Sequence, residues 1–169
     1  MDQLYTLAKE LGVALKARGF MLALAESCTG GMAAQAVTSV AGSSAWFDRA
    51  FISYSNPAKM EMLGVKYETL QLFGAVSEQT AAEMAQGALK FSLARISASI
   101  TGIAGPDGGS GEKPVGTVCF GFALENPAEN TVKFVVKCNT QHFTGNRETI
   151  RQQASVYAIT QLIELLQQS

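Results

Sequence analysis

The first residue of chemical interest is Ser27, in the run Glu-Ser-Cys-Thr-Gly-Gly that separates a short apolar segment from an amphipathic one. A hydroxyl at a strand-to-helix turn is exposed at the sheet edge, and the N–H groups of the helix lie beside it. That geometry suits a nucleophile whose oxyanion is stabilised by backbone donors. Ser27 or Thr29 could equally serve only as a helix cap, so the sequence leaves both roles open.

A serine nucleophile needs a base, and the sequence offers two candidates. His142 is the only histidine, and it lies in a polar stretch near the end of a predicted strand, where exposure to solvent is usual. Lys59 lies in the first turn of a helix predicted to begin at Asn56-Pro57, where Asn would cap unpaired N–H groups and Pro fits the first helical position. The positive end of that helix, together with burial, would lower the lysine pKa. The alternative is an ordinary solvated surface lysine.

A glycine-rich segment spans residues 101–111 with the sequence Thr-Gly-Ile-Ala-Gly-Pro-Asp-Gly-Gly-Ser-Gly. It follows a predicted strand, where open α/β sheets bind ligands, and glycines let backbone N–H groups approach an anion closely. The segment has no Gly-Lys pair and no G-x-G-x-x-G, so the common nucleotide motifs are absent. A flexible surface loop is the alternative. Ser110 and Lys113 match S-x-x-K, but the surrounding glycines and Pro114 disfavour the helix that this motif requires.

Arg147 is predicted in the first turn of the last helix. A guanidinium beside free N–H groups would hold a carboxylate or a phosphate, although an exposed arginine without a partner fits the pattern equally well. Cys28 is interpreted as a small buried filler rather than a nucleophile. The single histidine argues against a zinc site.

The elements that position these residues follow from hydrophobic periodicity. Helices are predicted over 2–18, 32–40, 56–64, 68–73, 77–92 and 144–167, and strands over 21–25, 47–53, 96–100, 117–124 and 131–137. Helices alternate with buried strands early in the chain, and a hairpin closing through residues 125–130 comes late. This order predicts one α/β domain over residues 1–169, with a mixed sheet covered by helices.

Composition excludes several classes of protein. The chain has 169 residues, 47% of them hydrophobic and 16% charged, which disfavours disorder. Its net charge of −1 lacks the basic character of a nucleic-acid binder. No apolar run approaches the roughly 18 residues of a membrane span, and no signal peptide is visible. Three cysteines without a CxxC pair fit reduced thiols, so a cytoplasmic location is expected.

Six segments together resemble a known family. They are residues 25–31, 42–44, 54–56 with Lys59, 74–77, 101–109 and 113–117. In this order and over essentially the whole chain, they are similar to the C-terminal domain of the competence-damage protein CinA. That resemblance implies a three-layer α/β/α fold and the deamidation of nicotinamide mononucleotide to nicotinic acid mononucleotide and ammonia.

The resemblance also implies roles for individual residues. Ser27 would be the nucleophile and Lys59 its general base, with Tyr54 and Thr101 supporting the dyad through hydrogen bonds. Thr29, Gly30 and Gly31 would lie beside the oxyanion. The residues expected to hold the nucleotide are Asn56, Gly102, Ala104, Gly105 and Arg147. The family resemblance further implies at least a homodimer and no need for a metal or another cofactor.

Two other functions are compatible with the same residues. The dyad could hydrolyse a different small amide, because substrate choice depends on the shape of the pocket. The glycine-rich pocket could also bind a pyridine nucleotide without cleaving it, although a binding module has no need of the serine and the lysine. A direct role on DNA gains no support from the charge balance.

Overall fold

The computed structural model describes residues 2–126 and 133–168, which form a mixed sheet and six α-helices. The strands are β1 (Leu22–Glu26), β2 (Phe47–Ile52), β3 (Ile96–Gly102), β4 (Thr117–Asn126) and β5 (Lys133–His142). The helices are α1 (Asp2–Arg18), α2 (Met32–Thr38), α3 (Asn56–Leu63), α4 (Tyr67–Phe73), α5 (Glu78–Lys90) and α6 (Arg147–Gln168), and a 3₁₀ turn spans Ser43–Ala45.

The strand order across the sheet is β2-β1-β3-β4-β5. Strand β1 pairs in parallel with both β2 and β3, whereas β3, β4 and β5 pair antiparallel. The carboxyl ends of β1, β2 and β3 therefore meet at one edge of the sheet, together with the beginning of β4. Open α/β sheets bind their ligands at such an edge.

Each face of the sheet is covered by its own set of helices, as the period-2 alternation of strand side chains requires. Large residues of β1, β3 and β4, such as Leu24, Ile100 and Phe120, pack with α1, α2 and α6. Small residues such as Ala23 and Ala25 face the opposite way, towards α3, α4 and α5. The predicted α/β architecture and its three layers are confirmed.

The small residues on the second face allow α5 to lie unusually close to the sheet. A Cβ added at Gly121 would lie 2.3 Å from the carbonyl oxygen of Ala81 on α5. The Ser99 hydroxyl donates to the Ala81 carbonyl at 2.6 Å, and the Ser97 hydroxyl donates one helical turn further on, to the Ala85 carbonyl at 2.7 Å. These contacts fix the position of α5 and of the segment that precedes it, which forms one wall of the site.

Helix α3 begins at Asn56, the predicted residue, with a different cap, whereas helix α6 begins three residues later than predicted. The side chain that caps α3 belongs to Ser55, whose hydroxyl accepts from the N–H of Ala58, so Asn56 is already helical and does not act as the cap. Helix α6 begins at Arg147 rather than at residue 144, because the Asn146 side chain accepts from the N–H of Thr149 at 2.9 Å. A side-chain acceptor of this kind satisfies an N–H that the helix leaves unpaired.

The predicted hairpin is present, but its strands are longer than expected. Strand β5 continues to His142, five residues beyond the predicted end, and pairs with β4 along its full length. Residues 138–142 are polar because β5 is an edge strand, which can present polar side chains to solvent. The part of the predicted turn and strand that falls on residues 127–132 lies outside the described residues.

Candidate active site

The ends of β1 and β2 bring Ser27 and Lys59 together. Ser27 is the first residue after β1, and Lys59 lies in the first turn of α3, which follows β2. The Nζ of Lys59 lies 3.0 Å from the Oγ of Ser27. A serine hydroxyl within hydrogen-bond distance of an amine is the arrangement by which a lysine can remove the serine proton.

Lys59 is buried, with 1% of its surface exposed, and is not a solvated surface residue. Burial lowers the pKa of its amine from 10.5 to about 8, with the nearby Cys28 thiol acting weakly in the opposite direction. Removal from water disfavours the ammonium form, so the shift follows from the position of the side chain in the fold. A large fraction of the amine is consequently neutral at mildly alkaline pH.

The contacts of the Lys59 amine fit a neutral form whose lone pair faces the serine. The Nζ donates to the carbonyl oxygens of Ser53 at 2.9 Å and Tyr54 at 3.0 Å. A neutral amine has two N–H bonds and one lone pair, so these two carbonyls accept hydrogen bonds from both N–H bonds. The lone pair then faces the Ser27 hydroxyl, whose distance to the Tyr54 carbonyl is longer, at 3.4 Å.

A buried carboxylate that the sequence analysis did not assign, Glu26, holds the turn that carries Ser27. Its side chain is fully buried and accepts hydrogen bonds from the Thr29 hydroxyl at 2.6 Å and from the N–H groups of Gly31, Ala33 and Ala34. The last three belong to the beginning of α2, where a negative charge is favourable. An acidic residue directly before a strand-to-helix turn is the sequence signal that could have predicted this role.

Two of the three residues expected beside an oxyanion have their N–H groups engaged elsewhere. The N–H of Gly30 donates to the Ser27 carbonyl at 3.0 Å, and that of Gly31 donates to Glu26. Within residues 2–126 and 133–168, the N–H groups of Cys28 and Thr29 have no main-chain acceptor. Cys28 also lines the cavity in front of the serine.

The thiol of Cys28 is not suited to act as the nucleophile. Burial raises its pKa to about 11, and the Glu26 carboxylate contributes in the same direction, while its own N–H, Arg151 and Lys59 oppose the increase. Only a thiolate is strongly nucleophilic, so this side chain is inert near neutral pH. Its burial agrees with the interpretation of Cys28 as a filler.

Tyr54 and Thr101 lie at the site, but their hydroxyls bind other groups than the dyad. Tyr54 contacts Lys59 through its carbonyl, while the residue is 61% exposed and its phenol oxygen accepts from Arg147 at 3.2 Å. The Thr101 hydroxyl donates to the Ala75 carbonyl at 2.8 Å. Thr101 therefore anchors the segment before α5, which forms a wall of the cavity.

A cavity of about 280 Å³ opens in front of the dyad. Its lining includes the three expected loop residues Gly102, Ala104 and Gly105, and also Arg147, which donates to the Gly105 carbonyl at 2.8 Å. Asn56 is exposed and does not belong to the lining. Asp107, which the sequence analysis did not single out, contributes the only carboxylate among the described residues of the lining.

The other sequence candidates lie away from the dyad. His142 is exposed, and its Nδ1 lies 3.3 Å from the Thr117 hydroxyl in a neighbouring cavity. In the S-x-x-K match, the Lys113 amine donates to the carbonyl of Phe73 at 2.8 Å rather than to Ser110. Neither residue is placed to activate Ser27.

None of the helices in residues 2–126 and 133–168 has the length and apolar character needed to cross a membrane. No group of three or more His, Cys, Asp or Glu side chains in these ranges has an arrangement suited to a metal ion.

Comparison with known sequences gives a consistent family. The model of the CinA C-terminal domain matches residues 4–166. The nicotinamide-nucleotide amidohydrolase PncC of Enterobacter agglomerans is 54% identical over 157 residues, which cover 93% of this chain and 92% of that protein. The protein of the same name from Escherichia coli K12 is 52% identical over 161 residues, covering 95% and 93%.

A solved structure agrees with this result. The competence/damage inducible protein CihA of Agrobacterium tumefaciens superimposes with a TM-score of 0.87 at 43% sequence identity. The match covers 96% of this chain and 95% of the other.

Proposed function

This chain belongs to the CinA C-terminal domain family, and on that premise we propose that it hydrolyses the carboxamide of nicotinamide mononucleotide to nicotinic acid mononucleotide and ammonia. The name of its relatives from Enterobacter and Escherichia supports this substrate. The reaction is an acyl transfer through Ser27, with Lys59 as general base. The observation that carries the proposal is a buried amine of lowered pKa at 3.0 Å from the serine hydroxyl.

Acylation begins with transfer of the Ser27 proton to the lone pair of Lys59. The serine oxygen attacks the carboxamide carbon, a C–O bond forms, and the carbonyl electron pair moves to oxygen. We assign this oxyanion to the N–H groups of Cys28 and Thr29, because no main-chain group of the described residues accepts from either of them. The carbonyl then re-forms, the C–N bond breaks, and the Lys59 ammonium supplies the proton with which ammonia leaves.

Hydrolysis of the acyl-enzyme reverses these roles. Lys59 is neutral again and takes a proton from water, which attacks the ester carbon. The oxyanion forms at the same N–H groups, the C–O bond to the serine breaks, and the ammonium returns the proton to Ser27. The nicotinate product leaves the site, and the enzyme regains its starting protonation state.

The charges around the cavity suit a zwitterionic nucleotide. The substrate combines a pyridinium ring with a phosphate, and the cavity lining combines the Asp107 carboxylate with the Arg147 guanidinium. Opposite charges at these groups would favour binding in one orientation, with the phosphate at Arg147. Gly102, Ala104 and Gly105 form the wall along which the ribose would lie.

The decisive experiment measures ammonia release from nicotinamide mononucleotide in the presence of EDTA, for the wild type and for Ser27→Ala. We expect release by the wild type alone, because the serine forms the acyl-enzyme. Ser110→Ala, in the exposed loop, is the matched control and should retain wild-type activity. Release by Ser27→Ala at the wild-type rate would contradict the proposed nucleophile.

The two competing functions give different results. A wild type that leaves nicotinamide mononucleotide intact, but whose Ser27 is acylated by an activated ester, would be an amidohydrolase of another small amide. A wild type that binds the nucleotide without either reaction would be a binding module. Each of these results would contradict the proposed activity.

We further propose that residues 1–169 act as one catalytic domain and that the protein is a homodimer or a higher homo-oligomer. The match of one family model to residues 4–166 supports the first point. Sedimentation equilibrium tests the second, and a mass of 17.9 kDa in solution would contradict it.

A further inference from the structure

Arg151 on α6 contacts the backbone of the turn that carries Ser27. It lies four residues after Arg147 and is half-buried. Its Nε donates to the Cys28 carbonyl and its Nη2 to the Thr29 carbonyl, both at 3.0 Å. In the described part of the chain it forms no ion pair with a carboxylate. Its planar guanidinium thus holds two consecutive main-chain carbonyls at once.

The contact is closely packed. A Cβ added at Gly30 would lie 3.3 Å from the Nη2 of Arg151, and the backbone of Gly30 has a φ of +58°. The guanidinium therefore rests directly on the backbone of the turn. A side chain at position 30 would push the arginine away or strain the turn.

These two hydrogen bonds fix the direction of the N–H groups nearby. A trans peptide is planar, and its C=O and N–H point in opposite directions. With the Cys28 carbonyl held by Arg151, the Thr29 N–H of the same peptide points away from the arginine. With the Thr29 carbonyl held by Arg151 and by the Met32 N–H, the Gly30 N–H also points away from the arginine, and it donates to the Ser27 carbonyl at 3.0 Å. Because the Gly30 N–H holds the Ser27 carbonyl, the Cys28 N–H of that same peptide group points away from Gly30.

We infer that Arg151 is a positioning residue for the acylation of Ser27, which it serves by orienting the Cys28 and Thr29 N–H groups towards the oxyanion. This inference rests on the proposed function. Arg151 itself touches neither the substrate nor the reacting atoms. It acts through the peptide groups that it holds, as Glu26 acts through the Gly31 N–H and the Thr29 hydroxyl.

The test compares Arg151→Met with Arg147→Met by steady-state ammonia release from nicotinamide mononucleotide. Loss of an oriented oxyanion donor lowers the rate of the chemical step, so Arg151→Met should reduce kcat about 10- to 100-fold with KM within about threefold. Arg147→Met, one turn earlier on the same helix, should chiefly raise KM. A kcat for Arg151→Met within twofold of the wild type would overturn the inference.

A second readout separates positioning from a merely structural role. A pyridine-3-boronate forms a tetrahedral adduct with a serine hydroxyl, whereas nicotinic acid mononucleotide binds as a planar product. Arg151→Met should weaken the adduct by the same factor as kcat/KM and change product binding less than about threefold. The midpoint of the pH profile should stay where Lys59 places it. Equal weakening of both ligands would overturn the inference.

Two provisions keep the test decisive. If Arg151→Met does not fold, Arg151→Lys replaces it, because an ammonium lacks the planar fork of a guanidinium. We expect Arg151→Lys to lower kcat at unchanged KM, and an unchanged kcat would overturn the inference.

If the wild type releases no ammonia, the proposed function fails by itself. The role of Arg151 is then tested by the rate at which p-nitrophenyl acetate acylates Ser27. We expect Arg151→Met to be acylated at least about tenfold more slowly than the wild type. Equal rates would overturn the inference.

Discussion

Two segments border the cavity and differ in almost every respect. The catalytic turn (residues 26–31) has four consecutive residues, Glu26, Ser27, Cys28 and Thr29, that are at most 7% exposed. The glycine loop (residues 103–112) is exposed throughout residues 106–112. Both contain glycines of positive φ, so glycine content alone does not distinguish them.

The difference lies in what holds each segment. In the catalytic turn, the Cys28 and Thr29 carbonyls accept from Arg151 and the Ser27 carbonyl accepts from Gly30. The Gly31 N–H and the Thr29 hydroxyl donate to Glu26. In residues 106–112, the one hydrogen bond between main-chain groups runs from the Ser110 N–H to the Lys113 carbonyl. Chemistry requires donors that are oriented before the reaction, whereas substrate entry requires a segment that can adjust. The comparison predicts that equivalent substitutions have unequal effects.

The largest contrast is expected between two lysines. Lys59→Met removes the general base and should lower kcat/KM by at least about 10³-fold. Lys113→Met removes the lysine of the S-x-x-K match, which lies next to the glycine loop. This variant should keep a kcat/KM within a fewfold of the wild type. Ammonia release measures both effects, and circular dichroism checks that each variant is folded. Comparable losses in the two variants would contradict the assignment of the base.

The pH profile tests the same amine without mutation. Because the amine must be neutral to accept a proton and its pKa is about 8, kcat/KM should fall about tenfold per pH unit below that value. An inflection near pH 10.5, the ordinary lysine pKa, would show that the amine is not desolvated.

Stability should follow the same titration with a definite sign. The unfolded chain binds the Lys59 proton more tightly than the folded one, so this group contributes a free energy of unfolding that rises with pH between about 8 and 10.5. Denaturant unfolding of the wild type should gain up to about 1.4 kcal/mol per pH unit relative to Lys59→Met in that window. Parallel curves for the two proteins would contradict the lowered pKa.

A pair of glutamates compares the two segments directly. Glu26→Gln replaces an acceptor oxygen by an NH₂ group that faces the Ala34 N–H, so the free energy of unfolding should fall by about 2 kcal/mol. The displaced turn should also lower kcat by about tenfold or more. Glu112→Gln, in the exposed loop, should change stability by less than about 0.5 kcal/mol. Denaturant titration and ammonia release give both quantities, and equal effects would remove the distinction.

Arg147 tests what the open side of the cavity binds. Arg147→Ala should raise KM for nicotinamide mononucleotide about tenfold, because a charge-assisted contact to phosphate is lost. KM for nicotinamide riboside, which has no phosphate, should change much less. Equal increases for both substrates would remove the phosphate role and leave Arg147 as a link between Tyr54 and the loop.

The smallest contrast concerns two glycines of similar conformation. Gly30 has a φ of +58° and Gly108 a φ of +94°, so replacement by alanine strains both by roughly 1 kcal/mol. Only at Gly30 does the added Cβ meet Arg151, at 3.3 Å. Gly30→Ala should therefore lower kcat about fivefold to tenfold, and Gly108→Ala should leave it within about twofold. The opposite order would contradict the description of the catalytic turn as the preorganised segment.

Much of the fold was predictable from local patterns. The apolar run before Ser27 and the alternation around Ile100 predicted buried strands, and Ser77 was correctly expected to begin a helix. Errors occurred where several local signals compete. Ser55 and Asn56 are both good capping residues, and only the backbone geometry decides which of them lies outside the helix. Residues 138–142 are polar, and only their place at the sheet edge makes them a strand.

The sequence alone determined the chemistry that is available: a serine at a strand-to-helix turn, a lysine at a helix start, glycines that permit tight turns, and the family to which the motifs are similar. Tertiary structure decided which of these groups act together. The fold sets the Ser27–Lys59 distance and buries the lysine, which lowers its pKa. It also brings Arg151 against the Cys28 carbonyl and turns the Glu26 carboxylate towards the N–H groups of α2. Desolvation and hydrogen-bond direction are properties of the packed molecule, because they depend on every element that surrounds a group. No local pattern encodes the Ser27–Lys59 distance or the contacts of Arg151 with the turn.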